Sequence, residues 1–566
     1  MSNHQDVDLT AAANSFDIPP GDVDAVVSRG RRRTQRRRAL MATVTTIAVV
    51  TAAVSFIGTR GDDGDGGNTN IATAINGKAT LGDDQFTWTR REGAQSLAWA
   101  MEVGGSGQLY ALSTGPGERM SDNVRRNGYV WRSADGVDWQ SVSRLGSDMF
   151  LSDLAPASER LYAVGTGPST AIVPGRGTKT TDLIAGWSED GGETWSKAVL
   201  PFDMKAVAAK STMASVMDTE IASGPSGTLA LAAVRAALDV PALLPDGATA
   251  PNGWATTANG VDVLGPKRDN VCPAGTTAEK SGEDRQIAKP TDVGPVYCFN
   301  ESAPDPKGTV VSPQDARGVT ASYTWDQLGI SGDTVRAARG DLVAFFADPG
   351  STDFERVDLG DLQGGSGPLL AVAAEDGFDI VRAVRAPLSG YAGTVSILHS
   401  ADGRTWAPAA TDGGMDFASA AGVLGATPVV FGGTEQGRPV MMRRDGATWV
   451  TTDLSSLVSR PANTEVFMGS AGVGPAGIAV AVMIQEMDDT GRTREPGAAA
   501  PVTRLLTSRD GVNWHDQSLD EIAGRKTGSV DMVVVTGDHL IVSALLPKTD
   551  EKAEVAPRLT LVGTPR

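Results

Sequence analysis

The 566 residues carry a net charge of −18, with 67 glycines, 31 prolines and 5 % aromatic residues. That glycine and proline content is too low for a low-complexity polymer and suits a turn-rich all-β protein. A phosphate reader needs a basic face, and no dense basic run exists beyond residue 60, which excludes a nucleic-acid partner.

The chain opens with a polar tail, 1–38, that holds Pro19-Pro20 and reads as a disordered cytoplasmic segment. Its basic run, Arg31 to Arg38, stands directly before 39–59, ALMATVTTIAVVTAAVSFIGT, a stretch without a charged residue. About 20 apolar residues cross a bilayer core as a helix, so 39–59 is expected to be a single transmembrane span. The arginines before it hold the N-terminus in the cytoplasm and place the rest of the chain outside. A cleaved signal peptide would have a shorter apolar region after a shorter start. A twin-arginine export signal, which Arg36-Arg37-Arg38 weakly resembles, is the other alternative. Residues 60–80 follow as a flexible Gly/Asp linker. Its aspartates lack the twelfth-position Glu of a calcium-binding EF-hand, since Thr73 stands there.

From residue 81 onward the chain repeats itself. Apolar, strand-like runs recur at 108–114, 160–166, 228–234, 378–387, 427–433, 477–483 and 539–546, mostly after Gly or Pro turns. A short motif recurs between them: Ser133, Asp135, Gly136, Trp139; then Ser188, Asp190, Gly192, Trp195; Ser400, Asp402, Gly403, Trp406; Asp445, Gly446, Trp449; and Ser508, Asp510, Gly511, Trp514. The carboxylate of such a motif accepts backbone N–H groups of its own turn. The glycine supplies the positive φ of a two-residue hairpin turn. The indole buries a large apolar face at the start of the returning strand.

The motif resembles the Asp-box, or bacterial neuraminidase repeat, Ser-x-Asp-x-Gly-x-Thr-Trp. Residues 188–195 match it in full; the other four are one residue shorter before Trp, and Arg443 stands where Ser is expected. The resemblance covers the hairpins between 130 and 520. It implies a β-propeller in which each box joins the two outer strands of a blade, as in sialidases, sortilin-type receptors and photosystem-assembly-factor-like propellers. A degenerate box at Asp348–Phe354 makes six, and the last blade has none; the N-terminal 86–90 is expected to complete it. The expectation is therefore an all-β, seven-bladed propeller over 81–566, with eight blades as the alternative if 257–263 is a decayed box. An insert at about 236–340 interrupts the third blade and should form an irregular lobe held by a disulfide between Cys272 and Cys298.

Catalytic patterns are sparse. A sialidase of this fold implies an arginine clamp, a Tyr–Glu pair and an Asp acid, but the family's Arg-Ile-Pro signature is absent. Tyr110, Tyr129 and Tyr162 lie within strand-like runs and read as packing residues. His399, His515 and His539 have no metal-ligand spacing and read as surface residues of turns or strands. There is no Gly-x-Ser-x-Gly elbow and no phosphate loop, so no catalytic, metal or cofactor residue is assigned. The box residues read as structural, on the outer rim. The expected function is a non-enzymatic binding or scaffolding propeller, tethered to the cell membrane and facing an envelope protein or glycan. The alternative is a diverged glycoside hydrolase of the exo-sialidase type, which carboxylates about 5–9 Å apart at the ring centre would favour.

Overall fold

The computed structural model describes 80–565, apart from 82–85, 93–99, 104–107, 114–127, 135–137, 147, 158–159, 169, 172–178, 269–270, 273–276, 280–295, 300–308, 361–368, 386–392, 413, 435–436, 462, 488–501, 538 and 548–557. Among these residues no helix is long and apolar enough to cross a membrane. The tail, the span at 39–59 and the linker up to residue 79 lie outside the described residues.

Seven sheets share one plan, four antiparallel strands laid side by side as a meander. The second strand of each comes from one of the seven recurring apolar runs: Leu109–Ser113, Leu161–Thr166, Gly227–Leu238, Gly377–Arg385, Thr427–Gly433, Gly477–Glu486 and Leu540–Leu545. These strands have neighbours on both faces. They therefore read as continuous hydrophobic runs rather than as alternation. All six residues of Leu161–Thr166 are buried, and so are the first eight of Gly477–Glu486.

Each sheet packs on the next through its own apolar core. Tyr162, Leu183 and Phe345 belong to the core between the second and third sheets. Phe346 and Phe378 meet edge-on, ring centroids 5.8 Å apart, between the third and fourth. Phe431, Val480 and Trp514 join the fifth to the sixth. The first strands of successive sheets also touch, from Ala100–Val103 of the first sheet to Val530–Val535 of the seventh. Glycine permits that approach: a Cβ on Gly472 would lie 2.5 Å from the Val533 carbonyl oxygen. Leu109 packs against Ile541 and Val562, so the first sheet also meets the seventh.

A strand from before the first sheet closes this arrangement. Phe86–Glu92 pairs antiparallel with Arg558–Pro565 and becomes the outermost strand of the seventh sheet. Thr80–Leu81 pairs parallel with the outer strand of the sixth, so pairing begins within the segment expected to be linker. The first and last of the described strands are thereby held in sheets, which leaves fewer unpaired edges.

Between Gly227–Leu238 and Leu342–Ala347 of the third sheet stands the insertion. It is more regular than the sequence suggests. Trp254–Thr256, Gly260–Leu264 and Val319–Thr324 form one three-stranded sheet, and Thr277–Glu279, Val296–Phe299 and Thr309–Val311 form a second. Trp325, Leu328, Ile330 and Val261 supply a separate core. The hairpin at 257–263, the candidate eighth box, belongs to this insertion and not to the succession of four-stranded sheets. Cys272 and Cys298 are bonded, with Cα atoms 5.4 Å apart.

Candidate functional site

The Asp-box hairpins explain themselves at atomic scale. In the second sheet the Ser188 hydroxyl donates to Asp190 Oδ1 at 2.7 Å and accepts the Gly192 N–H at 2.7 Å. Asp190 also accepts the Thr194 N–H at 2.8 Å and the Thr194 hydroxyl at 2.6 Å. The Trp195 indole N–H donates to the Gly192 carbonyl at 3.0 Å. Asp402 repeats the pattern with the N–H groups of Arg404 (2.8 Å) and Thr405 (2.7 Å), as does Asp510 with Val512 (2.8 Å) and Asn513 (2.7 Å). Trp406 and Trp514 donate to Gly403 and Gly511 at 3.2 and 3.3 Å. The Thr194 hydroxyl and N–H, with Ser188, hold the Asp190 carboxyl down at about 2. Partial burial works upward on Asp510, but the donors around it win and hold it at about 2.

These loops are longer than two-residue turns. The strands part at Ser188 and resume at Ser196, and part at Ser400 and resume at Ala407. Gly192, Gly403 and Gly511 all have positive φ within them. The two-residue turn expected everywhere is found at 445–448, where Asp445 pairs directly with Thr448 across Gly446. No hydrogen bond to the Asp445 carboxylate is present among the described residues, and the half-buried Trp449 leaves its indole N–H without an acceptor. That hairpin has lost the box chemistry with its serine. In the first sheet Ser133 is buried and Trp139 packs beside Leu109 and Ile541, while Asp135 and Gly136 lie outside the described residues.

Arginines link neighbouring hairpins. Arg160 donates to Glu189 at 3.0 Å and to the Gly350 carbonyl of the degenerate box. Arg404 reaches Asp348 at 3.0 Å and Glu355 at 2.5 Å. Arg443, standing in the serine position, donates to the Asp510 carbonyl at 3.1 Å. Arg444 contacts Asp376 and the fully buried Asp379, whose carboxylate lies 3.3 Å away and also faces His399 Nδ1 at 2.9 Å. His399 is thus a partly exposed strand residue whose ring faces the buried Asp379 beside Arg444. Burial raises the Asp379 carboxyl against the opposing pull of Arg444 and His399. Tyr162 is fully buried and its hydroxyl donates to the Ser351 carbonyl at 3.0 Å, as a packing role predicts.

Where the first strands converge, two carboxylates stand on adjacent sheets, Asp153 on Phe150–Pro156 and Asp218 on Ser211–Gly224. Both follow a β-bulge, which re-aims a side chain. Asp153 Oδ2 accepts the Ile221 N–H at 2.8 Å, and Asp218 Oδ2 accepts the Leu369 N–H at 3.4 Å. Each carboxylate therefore ties its sheet to the next. Burial pushes Asp153 up to about 7 against the N–H groups of Ile221 and Leu154, with the Asp218 charge adding to the rise. Asp218 is raised too, again by burial. The sequence analysis missed both; the signal was a charge inside the apolar run FLSDLAP. Many other first-strand positions are small or aliphatic and half-buried, among them Ala371, Ala373, Ala420, Gly422, Gly472 and Val473, while Glu220 and Glu465 are half-buried carboxylates on the same strands. Met213 and Met217 are 52 % and 60 % exposed on the hairpin from which the insertion departs.

No family model matches the chain, and no curated protein does. Solved structures similar to it include phage phi92 endosialidase, 12 % identical over 73 % of this chain and 66 % of that one, with a TM-score of 0.29. Trypanosoma rangeli sialidase bound to the inhibitor DANA is 12 % identical over 72 % of this chain and 54 % of its own, TM-score 0.28. Penicillium chrysogenum α-L-arabinanase complexed with arabinobiose is 10 % identical over 87 % and 98 %, TM-score 0.28. The chain thus spans about two thirds of the phage protein and about half of the trypanosomal one. TM-scores of this size carry no argument about activity.

Proposed function

We propose that the chain is a seven-bladed Asp-box β-propeller, tethered outside the cytoplasm by the span at 39–59, that binds an envelope partner without catalysing a reaction. The observation that carries this reading is the composition of the converging first strands. They offer Ala, Gly and Val at many positions, and two of their carboxylates, Asp153 and Asp218, are spent on backbone N–H groups of the next sheet. The exposed Met213 and Met217 add an adaptable apolar contact beside the insertion. Crosslinking in intact cells tests it. A partner captured by the parent chain and lost from Met213→Asp with Met217→Asp supports binding at this face. Equal capture by both chains would reject that face.

The second reading, a diverged glycoside hydrolase, draws on Asp153. A carboxyl held protonated near neutral pH is suited to general-acid catalysis, and Asp218 stands on the neighbouring strand. It requires turnover of a glycoside that disappears in Asp153→Asn.

A further inference from the structure

The hairpin that starts the third sheet outgrows the rest of it. Ser211–Gly224 pairs with Gly227–Leu238 from end to end, whereas the third strand, Leu342–Ala347, covers only Thr228–Ala233. The hairpin therefore continues past the third strand as a two-stranded ribbon with two unlike faces. Ala214 and Val216 pack on the core between the second and third sheets. Met213, Ser215 and Met217 alternate with them and face away. Met213 is 52 % exposed and Met217 60 %, whereas Met204, Met441 and Met442 are at most 1 % exposed and Met149, Met468 and Met483 at most 6 %. The Ser215 hydroxyl donates to the Met217 sulfur at 3.4 Å, which keeps that sulfur on the outward face. Arg235 is exposed, directly opposite Ser215 and diagonal to Met213. A diagonal separation of about 7–8 Å is within reach of a long side chain.

From this geometry we infer that Met213 and Met217 form an oxidation site that switches the binding face off. The co-reactant is a peroxide. A thioether sulfur gives its electron pair to one peroxide oxygen: an S–O bond forms and the O–O bond breaks. With hydrogen peroxide the departing hydroxide takes the proton from the sulfur-bound oxygen and leaves as water. The sulfur is oxidised by two electrons and the peroxide reduced by two. The product sulfoxide is polar and chiral, where the thioether was apolar and adaptable. Its oxygen accepts hydrogen bonds, and Arg235 brings N–H donors to the same face. A partner that covers the two thioethers with apolar surface would then have to bury two sulfoxides. The methionines of the sheet cores are shielded from the same oxidant, so the ring outlasts the switch. This deepens the binding reading by giving that face a control, and it rests on that reading.

The test has two arms, both with hydrogen peroxide quenched by catalase. In the first, the full chain in lipid nanodiscs is oxidised and mapped by peptide mass spectrometry. Sulfoxide should appear at Met213 and Met217 before it appears at Met204, Met441 or Met442. In the second, intact cells are oxidised and then crosslinked. Capture by the parent should fall about tenfold or more, the effect of losing roughly 1.4 kcal/mol of contact. Met213→Leu with Met217→Leu keeps the apolar face without the sulfur, and should lose none of its own untreated capture. Met213→Gln with Met217→Gln resembles the sulfoxide, and without peroxide should capture as weakly as the treated parent. Oxidation of the core methionines first, capture by the parent unchanged once both sulfoxides have formed, equal loss in the Leu variant, or full capture by the Gln variant would each overturn the switch. If untreated Met213→Asp with Met217→Asp loses capture while the oxidised parent keeps it, the switch fails and the binding face stands. If that untreated variant captures as the parent does, the face fails and the switch falls with it.

Discussion

At the scale of single residues, position within the ring decides what a substitution does. Trp514 is 4 % exposed and sits in the core between the fifth and sixth sheets, whereas Trp195 and Trp406 are half-buried. Trp514→Ala should therefore cost about 3–5 kcal/mol in denaturant unfolding, and Trp195→Ala measurably less. Asp153 gives a pH signature. Its folded-state carboxyl is raised to about 7, so the folded chain keeps a proton the unfolded chain releases near pH 4. Stability from this group is greatest below about pH 4 and falls as pH rises toward 7, then stays level. Asp153→Asn keeps an acceptor for the Ile221 N–H and removes the titration. Its melting temperature should exceed the parent's at pH 8 and lose the advantage at pH 4.5. An unchanged difference between the two pH values would show that burial does not act on Asp153 in this way.

At the scale of elements, the strands and hairpins were far more legible than their links. The apolar runs mark second strands because both faces of those strands are covered, and the boxes mark the join of third and fourth strands because those at 188–195, 400–406 and 508–514 are local hydrogen-bonded loops. Nothing local announces Arg444, Asp379 and His399, which come from two sheets and meet only in the fold. Removing the cation leaves a buried carboxylate uncompensated, so Arg444→Met should cost about 3–5 kcal/mol. Adding Asp379→Asn should recover most of that loss; a purely additive double variant would show that the pair does not interact. The insertion was located by the gap it leaves in the repeat, but its two small sheets were hidden because their strands are only three to six residues long. The Cys272–Cys298 link closes 26 residues, worth about 3–4 kcal/mol to the lobe. In Cys272→Ser with Cys298→Ser, amide exchange should accelerate in 277–311 and stay slow in the second strands of the ring. Acceleration throughout would mean that the lobe and ring unfold as one unit.

At the scale of the whole molecule, the sequence carried the repeat, and the repeat carried the architecture. Seven apolar runs became seven second strands, and the box-less last sheet is completed by Phe86–Glu92. The site was less legible. Propeller centres are built from residues of first strands, which here are short on pattern: Ala and Gly chosen for close approach, with two aspartates aimed by bulges. The fold alone does not select between binding and hydrolysis; the chemistry at that centre does. The decisive measurement is turnover of fluorogenic sialosides and neutral glycosides by the purified full chain, beside Asp153→Asn and Asp218→Asn. The binding account predicts no release above background from any of the three. Release by the parent chain that vanishes in either variant would contradict it and make the centre of the ring an active site.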